Sequence, residues 1–474
     1  MDLVLILLGV VVLIVLGTSV LKLHPFLTLL LAALVAGFGL GLPGSEVVPT
    51  ATAGFGSILG GIGIVIVLGT IIGVILERSG AAVTMADVVI RAVGQRFPTL
   101  TVSIIGYIVS IPVFCDSGYV ILNSLKESLA RRTKTSIVAM SVALATGLYA
   151  THTLVPPTPG PIAAAGNLGL SNQLGLVILV GLFVALFAAA AGVLWASRFA
   201  DVDPDGETAH ELIESTEEFD QLKQSYGSLP GPVAALAPIG VPILLICLGS
   251  IAALDADPFG SGTVAEVLTF VGQPVIALLA GVAAALPLVG SKVRVGAGAG
   301  DSASGSADEE SGARAWLDRF QTSVSDAITA SAPILLITGA GGAFGAVIQA
   351  SDVADYLGSN LSELGIGVFM PFLVAAALKT AQGSSTVALV ATSALVAPLV
   401  GDLGLDSDMG RVLVVMAIGA GAMAVSHAND SYFWVVTQFS RMSVAQAYRA
   451  QTVATLLQGV TAIIVTWILS LVLI

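Results

Sequence analysis

The sequence predicts an all-α polytopic membrane protein, and three observations carry that prediction. Of 474 residues, 56% are hydrophobic and 10% charged, and mean hydropathy is +0.97; a soluble domain carries roughly 25% charged residues. Several apolar runs are long enough to cross about 30 Å of hydrocarbon, which takes about 20 helical residues. Backbone amides in lipid must pair within the chain, so these runs are helices. With 53 glycines and 6% aromatics, the helices are expected to pack closely through small residues.

Residues 2–20 lack a basic leader and a small-residue cleavage site, and read as a retained first helix. Basic residues near helix ends mark the cytoplasmic side. Lys22 therefore places the N-terminus outside, the second span (about 26–42) exits outside, and the third (about 57–76) returns to Arg78, Arg91 and Arg96. The next stretch, SIIGYIVSIPVFCDSGYVILNSL, lies between Arg96 and the basic set Lys126, Arg131, Arg132 and Lys134, so both flanks read as cytoplasmic. A helical hairpin with its tip at Pro112, Asp116 and Gly118 satisfies this; two short spans, or one span with misread flanks, are the alternatives.

Residues 135–153 run outward into THTLVPPTPGP, where Pro156, Pro157, Pro159 and Pro161 must break the helix, either lining a cavity or forming an outer loop. Residues 173–197 return to Arg198 and an acidic loop (201–220) that holds much of the net charge of −13. Two spans (about 233–253 and 264–288) lead to a second polar loop, 289–325, flexible by composition. Cys115 and Cys247 sit in apolar runs and suggest no metal site, and no basic patch supports a nucleic-acid partner.

The two halves resemble each other. GTIIGVILERSG starts at Gly69 and GGAFGAVIQASD at Gly341, and each ends its apolar run at a serine, Ser79 or Ser351. The same 272-residue offset carries Asp116 into QGSSTVALVATS and His152 to within three residues of His427. Charges place the second half upside down relative to the first. Its hairpin (about 366–401) enters from outside, the span 410–426 ends inside near Arg441 and Arg449, and a last helix (about 452–473) leaves the C-terminus outside. The prediction is an inverted-repeat transporter with two re-entrant helical hairpins, multi-pass in the cell membrane. Its regions are N-terminal scaffold helices (1–55), a first transport repeat (56–198), the acidic cytoplasmic loop with two connecting helices and linker (199–325), and a second inverted repeat with the C-terminal helix (326–474).

Ionisable residues inside spans are costly and mark pathways. Lys379, just before the second tip, wants a substrate carboxylate or a protein acid; snorkelling to the outer surface is the alternative. Asp116 suits either a proton carrier or a cap for tip amides. Gly383, Ser384, Ser385 and Thr386 offer amides and hydroxyls to an anion. Ser117, Gly118 and Asn429 are candidates for substrate hydroxyls, and His152, His427 and Asp430 join Asp116 as proton-carrying candidates.

These segments resemble the gluconate permease family: THTLVPPTPGPIAA, LKTAQGSSTVALVATSA, SHANDSYFW and PVFCDSGYVIL occur in its order and cover the chain outside the polar loops. Lys379 stands where arginine is more frequent, and Asp116 where some members have glutamate. The resemblance implies a proton symporter, not an enzyme, taking up gluconate or a related small hydroxy-carboxylate by alternating access, within a superfamily of dimers. It implies no cofactor beyond a coupling ion, H⁺ or alternatively Na⁺. D-serine carriage, an anion channel and an intramembrane hydrolase using a serine with His152 or His427 are the rival readings.

Overall fold

Where each apolar run is cut depends on its prolines, glycines and capping residues. The computed structural model describes residues 6–474 apart from 7, 8, 11, 15, 18–20, 22, 95, 206–228, 253–258, 260, 261, 290–311, 352–366 and 429. Lys22, Asn429 and most of both polar loops thus lie outside the described residues. After a helical stretch within residues 6–17 come α1 (Pro25–Gly39), α2 (Gly44–Arg78), α3 (Ala81–Val93), α4 (Pro98–Val109), α5 (Cys115–Thr133), α6 (Ile137–Leu154), α7 (Pro159–Asn167) and α8 (Leu174–Ala196). The chain continues through α9 (Pro232–Ala252), α10 (Thr263–Val271), α11 (Pro274–Val289), α12 (Gly312–Gln349), α13 (Phe369–Gln382), α14 (Ser385–Val396), α15 (Asp408–Met423), α16 (Ser431–Phe439) and α17 (Val444–Leu473).

Helix interruptions fall at similar offsets in the two halves. α5 starts at Cys115 and α14 at Ser385, 270 residues on, each after an interruption that follows a short apolar helix. α7 and α16 are nine residues each and follow a broken span in their own half. The paired serines share a geometry too: Ser79 Oγ donates to the Leu76 carbonyl (3.3 Å), and Ser351 Oγ to that of Ile348 (2.6 Å).

Helices α6 and α15 form the interior. Every residue of α6 from Val138 to Leu154 is buried, and so are those of α15 from Val412 to Met423. α1, α8, α9 and α17 turn large apolar side chains outward, as lipid-facing helices do. Close approaches rest on absent side chains: a Cβ on Gly147 would stand 2.2 Å from the Ser103 carbonyl oxygen, and one on Gly54 2.5 Å from that of Gly342. The second contact brings α2 against α12, which an Arg78–Asp326 ion pair also joins.

Three sequence readings change, and one left open is decided. The third span and its counterpart begin earlier than expected, at Gly44 and Gly312, each with an exposed first turn ahead of its buried stretch. The span expected at 264–288 is two helices, α10 and α11, bent by 68° where Pro274 lacks an amide and forces its neighbour out of helical geometry. Lys126 is no surface flank but 1% exposed. The Pro156–Pro161 break is buried throughout, so it is interior rather than an outer loop; the Pro157 carbonyl lies where a Cβ on Gly69 would meet it at 2.9 Å.

Candidate functional site

α13 ends because Gly383 takes a left-handed conformation (φ 88°), which glycine adopts without steric cost. Ser384 then caps α14, its hydroxyl accepting from the Val387 amide at 3.3 Å. Lys379 lies in the last turn of α13 and is 0% exposed. Its Nζ donates to the Gly383 carbonyl (2.6 Å) and to Asp430 Oδ2 (2.5 Å).

Asp430 is the N-cap of α16, because the chain between α15 and α16 is irregular and leaves the first amides of α16 free to be capped. Its Oδ1 accepts from the Tyr432 amide (3.0 Å), and its Oδ2 also accepts from Ser426 Oγ (2.5 Å). A buried carboxylate with a cation, a hydroxyl and an amide as donors meets the condition under which a buried ion pair is tolerated.

Aromatic rings line one side of the pair. Lys379 Nζ stands 6.0 Å from the ring centroid of Tyr149. His152, buried in the last turn of α6, stacks on Tyr149 (6.4 Å between centroids, 11° between planes) and lies 5.9 Å from Phe114. Tyr149 also packs on Tyr432 at 5.1 Å, and Tyr432 Oη donates to the Ala145 carbonyl at 2.9 Å.

The predicted site residues divide into three groups. Lys379 touches both Gly383 and Asp430, and Asp116 and His152 lie within electrostatic reach of both Lys379 and Asp430. Asp116 sits in the first turn of α5 rather than in the irregular tip, which is 110–114; Cys115 Sγ lies 3.8 Å from its Oδ2, while Oδ1 has no partner among the described residues. Ser385 lies beside Tyr149, and Thr386 follows in the same turn.

A second group points elsewhere. Ser117 lies beside Glu77 of α2, and Gly118 admits Leu148, whose Cδ2 would stand 2.9 Å from an added Cβ. His427 is half-buried, with a ring nitrogen 2.8 Å from the Thr380 carbonyl oxygen, so it braces the residue after Lys379. Asn429 alone forms the third group, outside the described residues.

Sequence reasoning missed Ser426, Tyr149, Tyr432 and Glu77. Ser426 stands in the SHAND motif and was legible there; Tyr149 lies one helical turn before His152, a spacing that places both on one face. Among the described residues, no group of three His, Cys, Asp or Glu side chains could hold a metal ion. What the arrangement offers is one ammonium, already balanced by one carboxylate, with a second carboxylate nearby.

Residues 1–299 and 312–472 match the GntP family permease. The chain belongs to that family. The GntP chain is 32% identical to a gluconate permease of Pseudomonas aeruginosa over 458 residues, covering 95% of this chain and 94% of the relative. It is 33% identical to the D-serine transporter DsdX of Escherichia coli K12 over 466 residues, covering 97% and 96%. Among solved structures, the YdaH transporter of Alcanivorax borkumensis superposes with a TM-score of 0.62 at 15% identity, covering 94% of this chain and 98% of that one. The fold is therefore that of a known helical, multi-span transporter architecture. Family membership makes this GntP chain a permease and not an enzyme, which removes the hydrolase reading.

Proposed function

We propose that this permease is a secondary active transporter of the cell membrane that takes up gluconate or a related small hydroxy-carboxylate together with a proton. The observation that carries the reading is the Lys379–Asp430 pair at the break between α13 and α14. An arriving carboxylate is an anion entering beside two acids, Asp430 and Asp116, and only one lysine. The charge balance is restored if a proton neutralises Asp430 or Asp116 as the anion takes its share of the Lys379 ammonium. Anion and proton then favour each other's binding, which is the thermodynamic content of symport.

Gly383, Ser384, Ser385 and Thr386 stand at the N-terminal end of α14, where amides and hydroxyls suit an anion. Sodium coupling is less well supported, because the ammonium of Lys379 already occupies the place beside Asp430 that a sodium ion would take. D-serine is the second reading, favoured by the resemblance to DsdX and by Asp116, a carboxylate placed to receive an amino group.

The two interrupted segments, 98–133 and 369–396, are read as inverted re-entrant hairpins that move against a scaffold of α1, α2 and α12 in a homodimer, giving alternating access. Both termini are placed outside, and the regions 1–55, 56–198, 199–325 and 326–474 remain the proposed division. The test is uptake into proteoliposomes under an imposed pH gradient, with and without sodium, using gluconate and D-serine. Uphill accumulation driven by the pH gradient alone is the expected result. Accumulation that needs sodium, or leakage without accumulation, would refute the proton-symport reading.

A further inference from the structure

Helix α17 has two unlike faces. Leu456, Val460, Ile464, Trp467 and Ile468 are exposed and suit lipid. Gln451, Thr455 and Gln458 are wholly buried, and their spacing places them on one helical face. Buried polar groups cost free energy unless hydrogen-bonded, so each must find a partner.

Thr455 Oγ1 accepts from the Ser426 amide (3.0 Å), and Gln458 Nε2 donates to the Thr146 carbonyl (2.9 Å). Gln458 Oε1, and both the Nε2 and Oε1 of Gln451, have no hydrogen-bond partner among the described residues. Gln451 also sits in a π-helical turn, Tyr448–Thr452, a distortion that recurs at functional sites.

The polar groups on either side of Gln451 are connected. On one side, Thr452 Oγ1 donates to the Ser426 carbonyl (2.6 Å), and Ser426 Oγ donates to Asp430 Oδ2 (2.5 Å). On the other, Gln446 Oε1 accepts from the Asp205 amide (3.2 Å) while its Nε2 donates to the Asp203 carbonyl (2.8 Å). Asp205 also accepts from the Ser443 amide (2.9 Å) and lies at the protein surface near Arg449. The surface at 203–205 with Gln446 and the ion pair with Ser426 thus form two hydrogen-bonded ends, and Gln451 stands between them along α17 without a direct hydrogen bond to either among the described residues.

We infer that water joins these two ends and that the line so completed is the route by which the coupled proton passes between Asp430 and the surface at 203–205, with Gln451 holding the water at its middle. The inference rests on the proton-coupled reading above. A buried water makes about three hydrogen bonds to otherwise unsatisfied polar groups, and a primary amide offers both donors and an acceptor without titrating. The proton leaves the Asp430 carboxyl oxygen, which becomes carboxylate, for Ser426 Oγ, whose own proton passes to the first water; each relaying oxygen gains one proton and gives up one, and the last water releases it at the surface. The charged groups bordering the route are Asp430 and Lys379 at the inner end, with Asp116 and His152 beside them, and Asp205 and Arg449 at the outer end.

The test uses the full chain in proteoliposomes and compares two processes: uphill gluconate uptake under a pH gradient, and gluconate exchange at equal pH, which requires no net proton release. Gln451→Leu fills the space with apolar atoms. Its uptake should fall about tenfold, the effect of losing one hydrogen-bonded link, while exchange stays near wild type. Gln451→Ala leaves room for water and should retain most of the uptake. Wild-type uptake in Gln451→Leu, equal loss of uptake and exchange, or a loss in Gln451→Ala as deep as in Gln451→Leu would each overturn the route. If the wild-type protein accumulates no substrate under a pH gradient, the coupling reading fails first and the route falls with it, a result visible without any variant.

Discussion

Two lysines are sealed from solvent, Lys379 at 0% and Lys126 at 1% exposure, and they stand at opposite ends of α16. Lys379 meets the charge of Asp430 at the N-terminal end. Lys126, on α5, meets only neutral oxygens at the C-terminal end among the described residues: its Nζ donates to the Phe439 carbonyl (3.2 Å) and to Tyr119 Oη (3.3 Å), 5.1 Å from the Tyr119 ring centroid. Tyr119 Oη in turn pairs with Ser440 Oγ at 2.7 Å. A cation at a helix C-terminus is favoured by the exposed carbonyls and the helix dipole. In the proposed function, a proton on Asp430 or a substrate anion competing with Asp430 for Lys379 would disturb the first arrangement. No comparable event releases the second. The difference separates a lysine paired with a charge from one that meets only neutral oxygens at a helix end.

The largest effect should come from Lys379→Ala. It strands Asp430 as an unpaired buried charge, a loss of about 3–5 kcal/mol when one partner of a buried pair is removed, and uptake should vanish. Removing both partners, Lys379→Ala with Asp430→Ala, should recover thermal stability in detergent relative to Lys379→Ala alone, without recovering uptake. A double variant no more stable than Lys379→Ala would mean that the pair is not what the single substitution breaks.

Lys126→Met comes next. It leaves the Phe439 carbonyl short of a donor but strands no charge, so the expected loss is about 1–3 kcal/mol. Unfolding temperature should drop while KM for the substrate stays near wild type. A rise in KM like that of a substrate-site variant would erase the distinction between the two lysines.

The smallest effect is expected from His152→Phe, which exchanges one planar ring for another between Tyr149 and Phe114 and should cost less than about 1.5 kcal/mol. Uptake driven by a pH gradient should persist. Its disappearance with the fold intact would make His152 the proton carrier and move coupling away from Asp430.

The candidate site was legible in pieces. Lys379 and Asp430 each stood out as ionisable residues in apolar surroundings, and Gly383–Ser384 as a helix break, because burial cost and backbone geometry act on a residue and its near neighbours. Lys126 misled for the same reason: a lysine among Arg131, Arg132 and Lys134 looks like a membrane flank until α16 covers it. Tyr149 gave only its spacing to His152 as a signal, since an aromatic residue in an interior helix is ordinary until its neighbours across the packing are known.

The sequence by itself determined the solvent and the secondary structure. Hydrocarbon demands internally bonded helices, and proline and glycine cut them at places any chain of this composition would be cut. Only the tertiary structure decided which polar groups share a hydrogen bond. Lys379 and Asp430 are 51 residues apart, and Gln446 reaches a loop 243 residues earlier. Such pairings depend on how α6 and α15 pack between the two halves, and packing is a property of facing surfaces rather than of neighbours along the chain.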